Sequence, residues 1–414
     1  MSRYLQLLRR RDYALLWGGA TVSALGDGMS FVALVWLILE RGGDAAAVGW
    51  LAAAYTAPVV VGGLVAGVIL DRSDRRRVLA ADNLIRGLAI GSVPVAAALG
   101  VLGTPQLFVV AAIYGLLYMT SVAGIPSMIP ALVEGEELTT ANAMESISYG
   151  IAGLVGPAMA GVVIAIFSAP LVLAIDAVTY AVFVACLLAM RPAAPAAGDG
   201  EAGDAAEAAA APARRGLGPA LRFVLGAPAI VAITVMYMGL NLSGGIFTVL
   251  APVYARDVLG GGATTYGALL SALTAGSLVG LIGVGAIRWR WPLGRSIAAA
   301  TLASGVALGL LLARPGFAAT LAILAISGVL ESSLTPWAQT IRMRLIPAEM
   351  RGRVFALLRT LMQSTTPLGA ILGGVLLAGG DPIPAIAVAA GLIAIPGAIG
   401  LGLPALGRGP TAEP

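Results

Sequence analysis

Two acidic residues inside long apolar stretches are the first candidates for chemistry in this chain. Asp27 lies at the middle of the first stretch, in SALGDGMS, and Glu331 lies in SGVLESSLTPW. If the stretches cross a membrane, each charge costs about 2.5–3.5 kcal/mol on insertion scales, so a function is expected. A carboxylate that faces a cavity can bind and release a proton, and both residues are therefore candidates for proton coupling. The alternative is a packing role, with hydrogen bonds to neighbouring helices.

A dense charge cluster follows the second apolar stretch. Residues 67–77 read GVILDRSDRRR, and six of the seven residues after Leu70 are charged. Gly67 and Asp71 are four residues apart, so they share one face at the end of a helix. The glycine allows a second helix to approach closely, and the carboxylate can pair with an arginine or with a helix N-terminus.

The composition indicates a polytopic membrane protein. Of 414 residues, 59% are hydrophobic and 11% are charged, whereas soluble proteins carry about 25% charged residues. The chain has no histidine, and Cys186 is its single cysteine. These counts exclude histidine catalysis, histidine metal ligands, cysteine clusters and an intramolecular disulfide. No P-loop pattern is present. We therefore expect no enzyme, no metal and no cofactor, and we attribute the net charge of +4 to membrane topology rather than to nucleic-acid binding.

About twelve apolar segments are long enough to cross a bilayer, which takes roughly 20 residues each. The predicted spans are about 13–39, 48–70, 78–101, 106–129, 146–167, 170–190, 230–254, 266–287, 293–312, 317–337, 354–377 and 383–403. If these spans alternate in direction, nearly all of the loop arginines fall on one side, and the other side holds Arg41, Arg256 and Arg314. The positive-inside rule then predicts a multi-pass protein of the cytoplasmic membrane with both termini in the cytoplasm.

The segment between the sixth and seventh spans differs in composition from the rest of the chain. Residues 191–216 read RPAAPAAGDGEAGDAAEAAAAPARRG, which has no bulky apolar residue and is typical of a flexible or partly helical linker. A shift that places Gly156 on Gly369 also places the fifth span on the eleventh, as two parallel halves require. We predict an N-terminal six-helix bundle (1–190), a cytoplasmic linker (191–225) and a C-terminal six-helix bundle with a short tail (226–414).

The charge cluster resembles the loop between the second and third helices of the major facilitator superfamily. That pattern is roughly glycine, three residues, Asp-Arg, two residues and Arg-Arg, and the chain supplies Gly67, Asp71-Arg72 and Arg75-Arg76. The resemblance implies an all-α polytopic membrane protein with twelve transmembrane helices in two pseudo-symmetric six-helix bundles, working as a transporter by alternating access. The stretches RRRDYALLWGGATVSALGDGMS, EELTTANAMESISYGIAGLVGPAMAG and IPAEMRGRVFAL further resemble the exporter subgroup that includes the enterobactin exporter and macrolide efflux proteins.

In the superfamily, this loop latches the second helix to the eleventh in one of the two access states. Arg351 and Arg353 begin the eleventh span and are available partners for Asp71. Asp82 and Arg86 are four residues apart and are expected to neutralise each other, either as a structural pair or as part of the latch. The alternative is a loop that only sets topology. The candidate gating and latch residues are Gly67, Asp71, Arg72, Arg75, Arg76, Asp82, Arg86, Arg351 and Arg353.

The fifth span resembles the glycine-proline motif of superfamily exporters. Small residues let helices cross closely and the proline bends the helix, although generic glycine-rich packing is an alternative. The motif residues are Gly150, Gly153, Gly156, Pro157 and Gly161. The fourth span, around Tyr114 and Met119, lacks the arginine that many proton antiporters of the superfamily carry there. Asp176 and Glu145 lie near the ends of predicted spans and are expected to be interfacial.

Polar and aromatic residues inside the spans are the candidates for substrate binding. Aromatic rings with scattered hydrogen-bonding groups suit a bulky amphipathic ligand, although each residue could instead anchor an interface or fill the packing. The candidates are Tyr55, Tyr237, Asn241, Ser243 and Trp337.

The sequence predicts a secondary transporter that exports a bulky amphipathic small molecule, such as a drug, an antibiotic or a siderophore, by proton coupling. The direction of transport follows from the resemblance alone. One alternative is a proton- or ion-coupled importer of a nutrient or siderophore on the same fold. Another is a membrane enzyme or a permease driven by an external ATPase. The expected partners are a small-molecule substrate, protons and the lipid bilayer, with no nucleic acid, and the chain is expected to be a monomer.

Overall fold

The computed structural model describes residues 2–133, 137–191, 218–286, 291–347 and 350–407. Twelve helices in these ranges are long and apolar enough to cross a membrane, and the ranges contain no strand. The predicted all-helical class and the number of spans are thus confirmed. We number the spans 1 to 12 in chain order. Most of the predicted linker, residues 192–217, lies outside the described ranges.

The bounds of the helices follow the apolar stretches. The first six spans are Arg11–Glu40, Ala45–Thr56 with Pro58–Arg72, Arg75–Ala98, Thr104–Met128, Glu137–Ile166 and Ala169–Ala189. The last six are Pro228–Val253, Ala263–Ala286, Leu293–Gly309, Phe317–Leu345, Arg351–Gln363 with Thr365–Leu377, and Ile383–Gly402. Short helices Ser2–Leu8 and Gly218–Gly226 precede spans 1 and 7, and single helical turns extend spans 4, 7 and 9.

Spans 2 and 11 are each divided into two helices by a proline. Pro58 begins the second helix of span 2, and Pro367 lies in the first turn of the second helix of span 11. Proline has no backbone N–H, so the carbonyl four residues earlier loses its helical donor. Both breaks lie at or just before a proline, but Pro94 and Pro157 lie inside unbroken helices, so a proline alone does not predict a break.

The chain forms two compact units. Unit 1 comprises Met1–Asp199 with Gly260–Ser271, and unit 2 comprises Gly200–Leu259 with Ala272–Pro414. The beginning of span 8 therefore belongs to unit 1, where the Ser271 hydroxyl donates to the Leu154 carbonyl at 2.6 Å. The domain boundaries proposed at residues 190 and 226 stay a prediction.

The two units repeat one pattern of helix packing. In unit 1, span 1 packs on spans 5 and 6, and span 3 packs on spans 4 and 6. In unit 2, span 7 packs on spans 11 and 12, and span 9 packs on spans 10 and 12. Each unit 2 pair carries the unit 1 numbers plus six, as an internal repeat of six spans requires.

Glycine pairs mark one crossing in each unit. A Cβ built on Gly156 would lie 2.9 Å from the Cα of Gly28, where spans 5 and 1 cross. A Cβ built on Gly369 would lie 3.1 Å from the Cα of Gly245, where spans 11 and 7 cross. Backbones can approach this closely only because neither partner has a side chain. The glycines paired by the sequence shift, Gly156 and Gly369, thus occupy corresponding crossings.

The other residues of the span 5 motif lie along the same helix. A Cβ on Gly161 would lie 2.6 Å from the Ala263 carbonyl oxygen, so this glycine too makes a backbone contact within unit 1. Pro157 lies inside the helix Glu137–Ile166, as do Gly150 and Gly153.

Candidate functional site

An ion-pair cluster lies near the midpoints of spans 1 and 3 in unit 1. Arg86 is 1% exposed, and its Nη2 lies 2.7 Å from Oδ2 of Asp82, one helical turn earlier. Its Nη1 lies 3.5 Å from Oδ2 of Asp27. The side chain of Asp27 is 18% exposed and that of Asp82 is 2% exposed. The guanidinium of Arg86 therefore forms a close ion pair with the buried carboxylate of Asp82 and a longer one with the partly accessible carboxylate of Asp27.

Span 6 completes the contacts of Asp27 through Tyr180. The Tyr180 hydroxyl donates a short hydrogen bond to Oδ1 of Asp27, and it accepts from Nη1 of Arg86 at 3.2 Å. Span 6 packs against both span 1 and span 3, which explains how one tyrosine reaches both charged groups. The hydroxyl fixes Asp27 at its place beside the arginine.

Span 4 supplies a hydroxyl to the tighter pair. Nη2 of Arg86 lies 2.5 Å from Oγ of Ser121, which donates to Oδ2 of Asp82 at 3.0 Å. The other carboxylate oxygen of Asp82, Oδ1, is buried and has no hydrogen-bond partner among the described residues. The contacts of Asp82 are thus concentrated on a single oxygen.

Aromatic rings lie beside the cluster. The Arg86 guanidinium is 4.8 Å from the ring centroid of Tyr180 and 5.5 Å from that of Tyr114. Tyr114 stacks on Tyr55 with ring centroids 4.4 Å apart, and Phe31 lies 4.8 Å from Tyr55. Span 4 itself has no arginine, but its Tyr114 contacts the arginine of span 3. The candidate substrate residue Tyr55 is thus part of an aromatic group that adjoins the ion pairs.

Asp176 of span 6 is a third carboxylate that the sequence interpretation misplaced. The sequence predicts an interfacial position for Asp176, whereas the structure buries its side chain fully beside Gly26 and Ser30 of span 1. Ser30 donates a short hydrogen bond to its Oδ2, and Thr179 donates to its Oδ1 at 2.9 Å. A Cβ on Gly26 would overlap this carboxylate, so the glycine leaves the room that buries it. The spacing of Asp176 and Tyr180, four residues apart on one helix face, was the available signal.

Glu331 occupies a separate site in unit 2. Ser304 of span 9 donates to its Oε1 at 2.7 Å. A cavity of about 50 Å³ beside it is lined by Leu240, Ser243, Phe247, Ser327 and other residues. The Ser327 hydroxyl is buried without a hydrogen-bond partner in the described part of the chain. The structure thus brings the candidate residues Glu331 and Ser243 together.

The other substrate candidates of unit 2 have different surroundings. Tyr237 donates to Thr335 at 3.2 Å, and its ring centroid lies 5.2 Å from the guanidinium carbon of Arg342. Asn241 donates from Nδ2 to the Met362 carbonyl at 2.8 Å. Trp337 is buried in an apolar cluster that also contains Tyr237 at its edge. Tyr237 therefore adjoins a charged group, whereas Asn241 joins span 7 to span 11.

The latch candidates lie in two different places. Asp82 and Arg86 belong to the central cluster described above, whereas the side chain of Asp71 lies outside the described residues. A Cβ on Gly67 would meet no atom within 4 Å, and Arg72 is exposed. Arg353 is half-buried.

Three of the remaining arginines donate to backbone carbonyls near the ends of spans 4, 6 and 10. Arg75 reaches the Ser127 carbonyl at 2.8 Å, Arg76 makes a short hydrogen bond to the Met190 carbonyl, and Arg351 reaches Met343 and Ile346 at 3.0 and 3.1 Å. The last carbonyls of a helix have no intrahelical donor, so these arginines satisfy them. A latch between spans 2 and 11 stays a prediction.

Comparison with known proteins places the chain in a family. Residues 3–405 match the model of the family described as transmembrane secretion effector. The chain belongs to this family of the major facilitator superfamily. The superfamily resemblance noted in the charge cluster is thereby confirmed, and the twelve spans make this major facilitator protein a multi-pass membrane protein.

Two curated relatives and one solved structure are similar over most of their length. The multidrug efflux pump Tap of Mycolicibacterium fortuitum is 27% identical over 372 residues, which is 88% of this chain and 89% of the relative. Macrolide efflux protein A of Streptococcus pyogenes is 24% identical over 366 residues, or 86% and 87%. The crystal structure of a bacterial homologue of the iron transporter ferroportin in the inward-facing state has a TM-score of 0.69 and 19% identity, covering 96% of this chain and 98% of that one. This last likeness confirms the major facilitator fold.

Proposed function

We propose that this major facilitator protein is a proton-coupled exporter of bulky, partly hydrophobic small molecules. Two curated relatives are named as efflux proteins, one for multiple drugs and one for macrolides, and support the direction and the class of substrate. The aromatic group around Tyr55 offers flat apolar surfaces to such a molecule. The proposal also includes a monomer in the cytoplasmic membrane with both termini inside, which the arginine asymmetry supports.

The observation that carries proton coupling is the unequal sharing of Arg86. Asp82 holds the guanidinium at 2.7 Å and is buried, whereas Asp27 holds it at 3.5 Å and is partly exposed. A proton that reaches Asp27 removes one of the two charges opposing Arg86, and the Asp82 pair remains. Asp27 can therefore change its charge while the arginine keeps a partner.

Charge balance in the cluster supports the same assignment. The carboxyls of Asp27, Asp82 and Asp176 lie on spans 1, 3 and 6, and span 6 packs on the other two. Among the described residues, Arg86 is the only cation that forms an ion pair with any of the three. Uncompensated charge in a low-dielectric interior is expensive, so binding of a proton relieves the excess of negative charge. Moving one charge across 100 mV supplies about 2.3 kcal/mol, enough for roughly a fifty-fold substrate gradient.

Transport in proteoliposomes tests the proposal. We would load vesicles that contain the purified protein with a radiolabelled macrolide or another drug from a panel, and impose a pH gradient with and without an uncoupler. In the wild-type protein, the drug should move across the membrane in the direction opposite to the flow of protons. Asp27→Asn should abolish this gradient-driven movement, while exchange of labelled for unlabelled drug continues. Asp44→Asn is the matched control, because Asp44 only caps a helix at Ala47 and asparagine caps equally well.

Three results would contradict the proposal. Gradient-driven transport that Asp27→Asn leaves intact would remove Asp27 as the coupling group. Movement of the drug together with protons would favour the importer instead. Loss of coupling in Glu331→Gln but not in Asp27→Asn would transfer the role to the site in unit 2.

A further inference from the structure

Arg342, in the last turn of span 10, is a buried arginine without a carboxylate partner in the described residues of unit 2. It is 4% exposed, and no salt bridge of the described chain includes it. Its Nε is buried and has no hydrogen-bond partner there. Nη2 lies 3.3 Å from the Sδ of Met362, and a thioether is only a weak acceptor. Among the described residues, Nε of this guanidinium thus has no acceptor, and the acceptor that Nη2 contacts is a weak one.

One side of Arg342 is an aromatic face with polar groups at its edge. Its guanidinium carbon lies 5.2 Å from the ring centroid of Tyr237, whose hydroxyl donates to the exposed Thr335 at 3.2 Å. Tyr237 is half-buried, so the ring and the two hydroxyls are reachable from outside unit 2. Leu334 and Trp337 belong to the apolar cluster that Tyr237 borders. The Arg342 cation, the Tyr237 ring and the apolar side chains of Leu334 and Trp337 thus lie next to one another.

The structure offers too little compensation for this buried charge. Burying a cation without an anion costs several kcal/mol. Proximity to the carbonyl end of a helix typically contributes about 0.3–1 kcal/mol, and a cation–π contact about 0.5–2 kcal/mol. A guanidinium cannot become neutral by losing its proton in a protein. Arg344, two residues later, is exposed and keeps its charge in contact with solvent. Arg342 is therefore suited to an anion that comes from outside the unit.

We propose that Arg342 and Tyr237 form a recognition site for the oxyanion of a transported amphipathic molecule, such as a carboxylate attached to an aromatic or aliphatic body. The planar guanidinium binds a carboxylate with paired hydrogen bonds. The body of the molecule lies on the ring of Tyr237. This inference deepens the proposed function and rests on it, because it adds organic acids and zwitterions to the substrate class.

Binding of a matched pair of probes tests the site without a transport assay. We would measure the affinities of 1-naphthoate and of its neutral analogue 1-naphthamide for the full-length protein in phosphatidylcholine nanodiscs by calorimetry. Wild type should prefer naphthoate, and Arg342→Gln should weaken naphthoate at least about tenfold, as expected for a hydrogen bond to a charged group. Naphthamide should be unaffected. Arg344→Gln, the exposed neighbour, should change neither affinity.

A second variant keeps the test informative if Arg342→Gln does not fold. Arg342→Lys retains the charge but not the paired donors, so it should keep a reduced preference for naphthoate. Equal affinities of wild type for the two probes, or an unchanged naphthoate affinity in Arg342→Gln, would overturn the proposal.

The same measurement in phosphatidylglycerol nanodiscs distinguishes a transported anion from a lipid headgroup. Unchanged naphthoate affinity supports a site for cargo. A fall that occurs in wild type but not in Arg342→Lys or Arg342→Gln would reassign the site to lipid and overturn the proposal. Failure of proton coupling at Asp27 would leave these affinities unchanged, whereas failure of the anion site would leave proton-driven movement of other drugs unchanged.

Discussion

The Nη1 of Arg86 in span 3 contacts Oδ2 of Asp27 in span 1 at 3.5 Å, across 59 positions of the sequence. This contact joins two spans that both pack on span 6. Asp27 is the more accessible of the two carboxylates that pair with Arg86. Among the described residues, Arg86 is the only cation in an ion pair with either of them.

Arg86→Gln should destabilise the protein strongly. Removing one partner of a buried ion pair leaves uncompensated charge and typically costs about 3–5 kcal/mol. We would measure the free energy of unfolding in mixed micelles. Arg77→Gln is the control, because the side chain of Arg77 is 82% exposed and its ion pair with Asp74 is long, at 3.6 Å. A surface substitution of this kind changes the free energy of unfolding by no more than about 0.5 kcal/mol. Equal losses in the two variants would refute a buried network.

Asp82→Asn should cost more stability than Asp27→Asn. Oδ2 of Asp82 receives hydrogen bonds from Arg86 and Ser121, whereas Asp27 holds the arginine only loosely. Hydrogen bonds to charged groups contribute about 1.5–3 kcal/mol each. Thermal unfolding of both variants at neutral pH provides the comparison. A larger loss for Asp27→Asn would mean that Asp27 is mainly structural, against its role in coupling.

Gly156→Ala should destabilise unit 1 by opening the crossing of spans 1 and 5. The new Cβ would lie 2.9 Å from the Cα of Gly28, and overpacking of this kind costs about 1–3 kcal/mol. Gly18→Ala on span 1 is the matched control, because nothing lies within 4 Å of its Cβ and alanine is the better helix former by about 1 kcal/mol. Denaturation curves that show equal stability for both variants would contradict a close crossing.

Asp71→Asn should shift the balance between the two access states if the predicted latch exists. The carboxylate would lose its charge, and with it any pairing with the arginines that begin span 11. We would follow modification of a cysteine placed at Tyr55, with Cys186 replaced by serine, by a membrane-impermeant reagent from each side. Asp74→Asn is the control in the same loop, since Asp74 caps span 3 at Arg76 and asparagine preserves the cap. Identical labelling of both variants would argue for a purely topogenic loop.

The sequence predicts the fold well because hydrophobic length and arginine placement are local properties. Twelve spans follow from them, and Gly156 and Gly369 already indicate the repeat. The breaks in spans 2 and 11 occur at or just before Pro58 and Pro367, but the sequence does not distinguish these prolines from Pro157, which lies inside an unbroken helix.

The site was predictable only in part. Asp27 and Glu331 are conspicuous because a charge in an apolar stretch stands out. The connection of Asp27 to Arg86 depends on span 6 packing against both spans, which no local pattern shows. The burial of Asp176 does not follow from its distance to the end of a span, because it depends on Gly26 of the facing helix, which leaves room for the carboxylate. The predicted span 10 ends at residue 337 and leaves Arg342 outside it, whereas the observed helix continues to Leu345 and buries this arginine.

The glycine crossing in unit 1 has a mechanical consequence for the charged cluster. Gly28, which lies against Gly156, is the residue next to Asp27. At this crossing no side chain separates the two backbones, whereas elsewhere along the same two spans Thr21 and Ser148 are joined by a hydroxyl contact of 2.8 Å. A displacement of span 1 relative to span 3 at this level would lengthen or shorten the 3.5 Å separation of Asp27 and Arg86. The strength of this ion pair would then report the position of one helix on another.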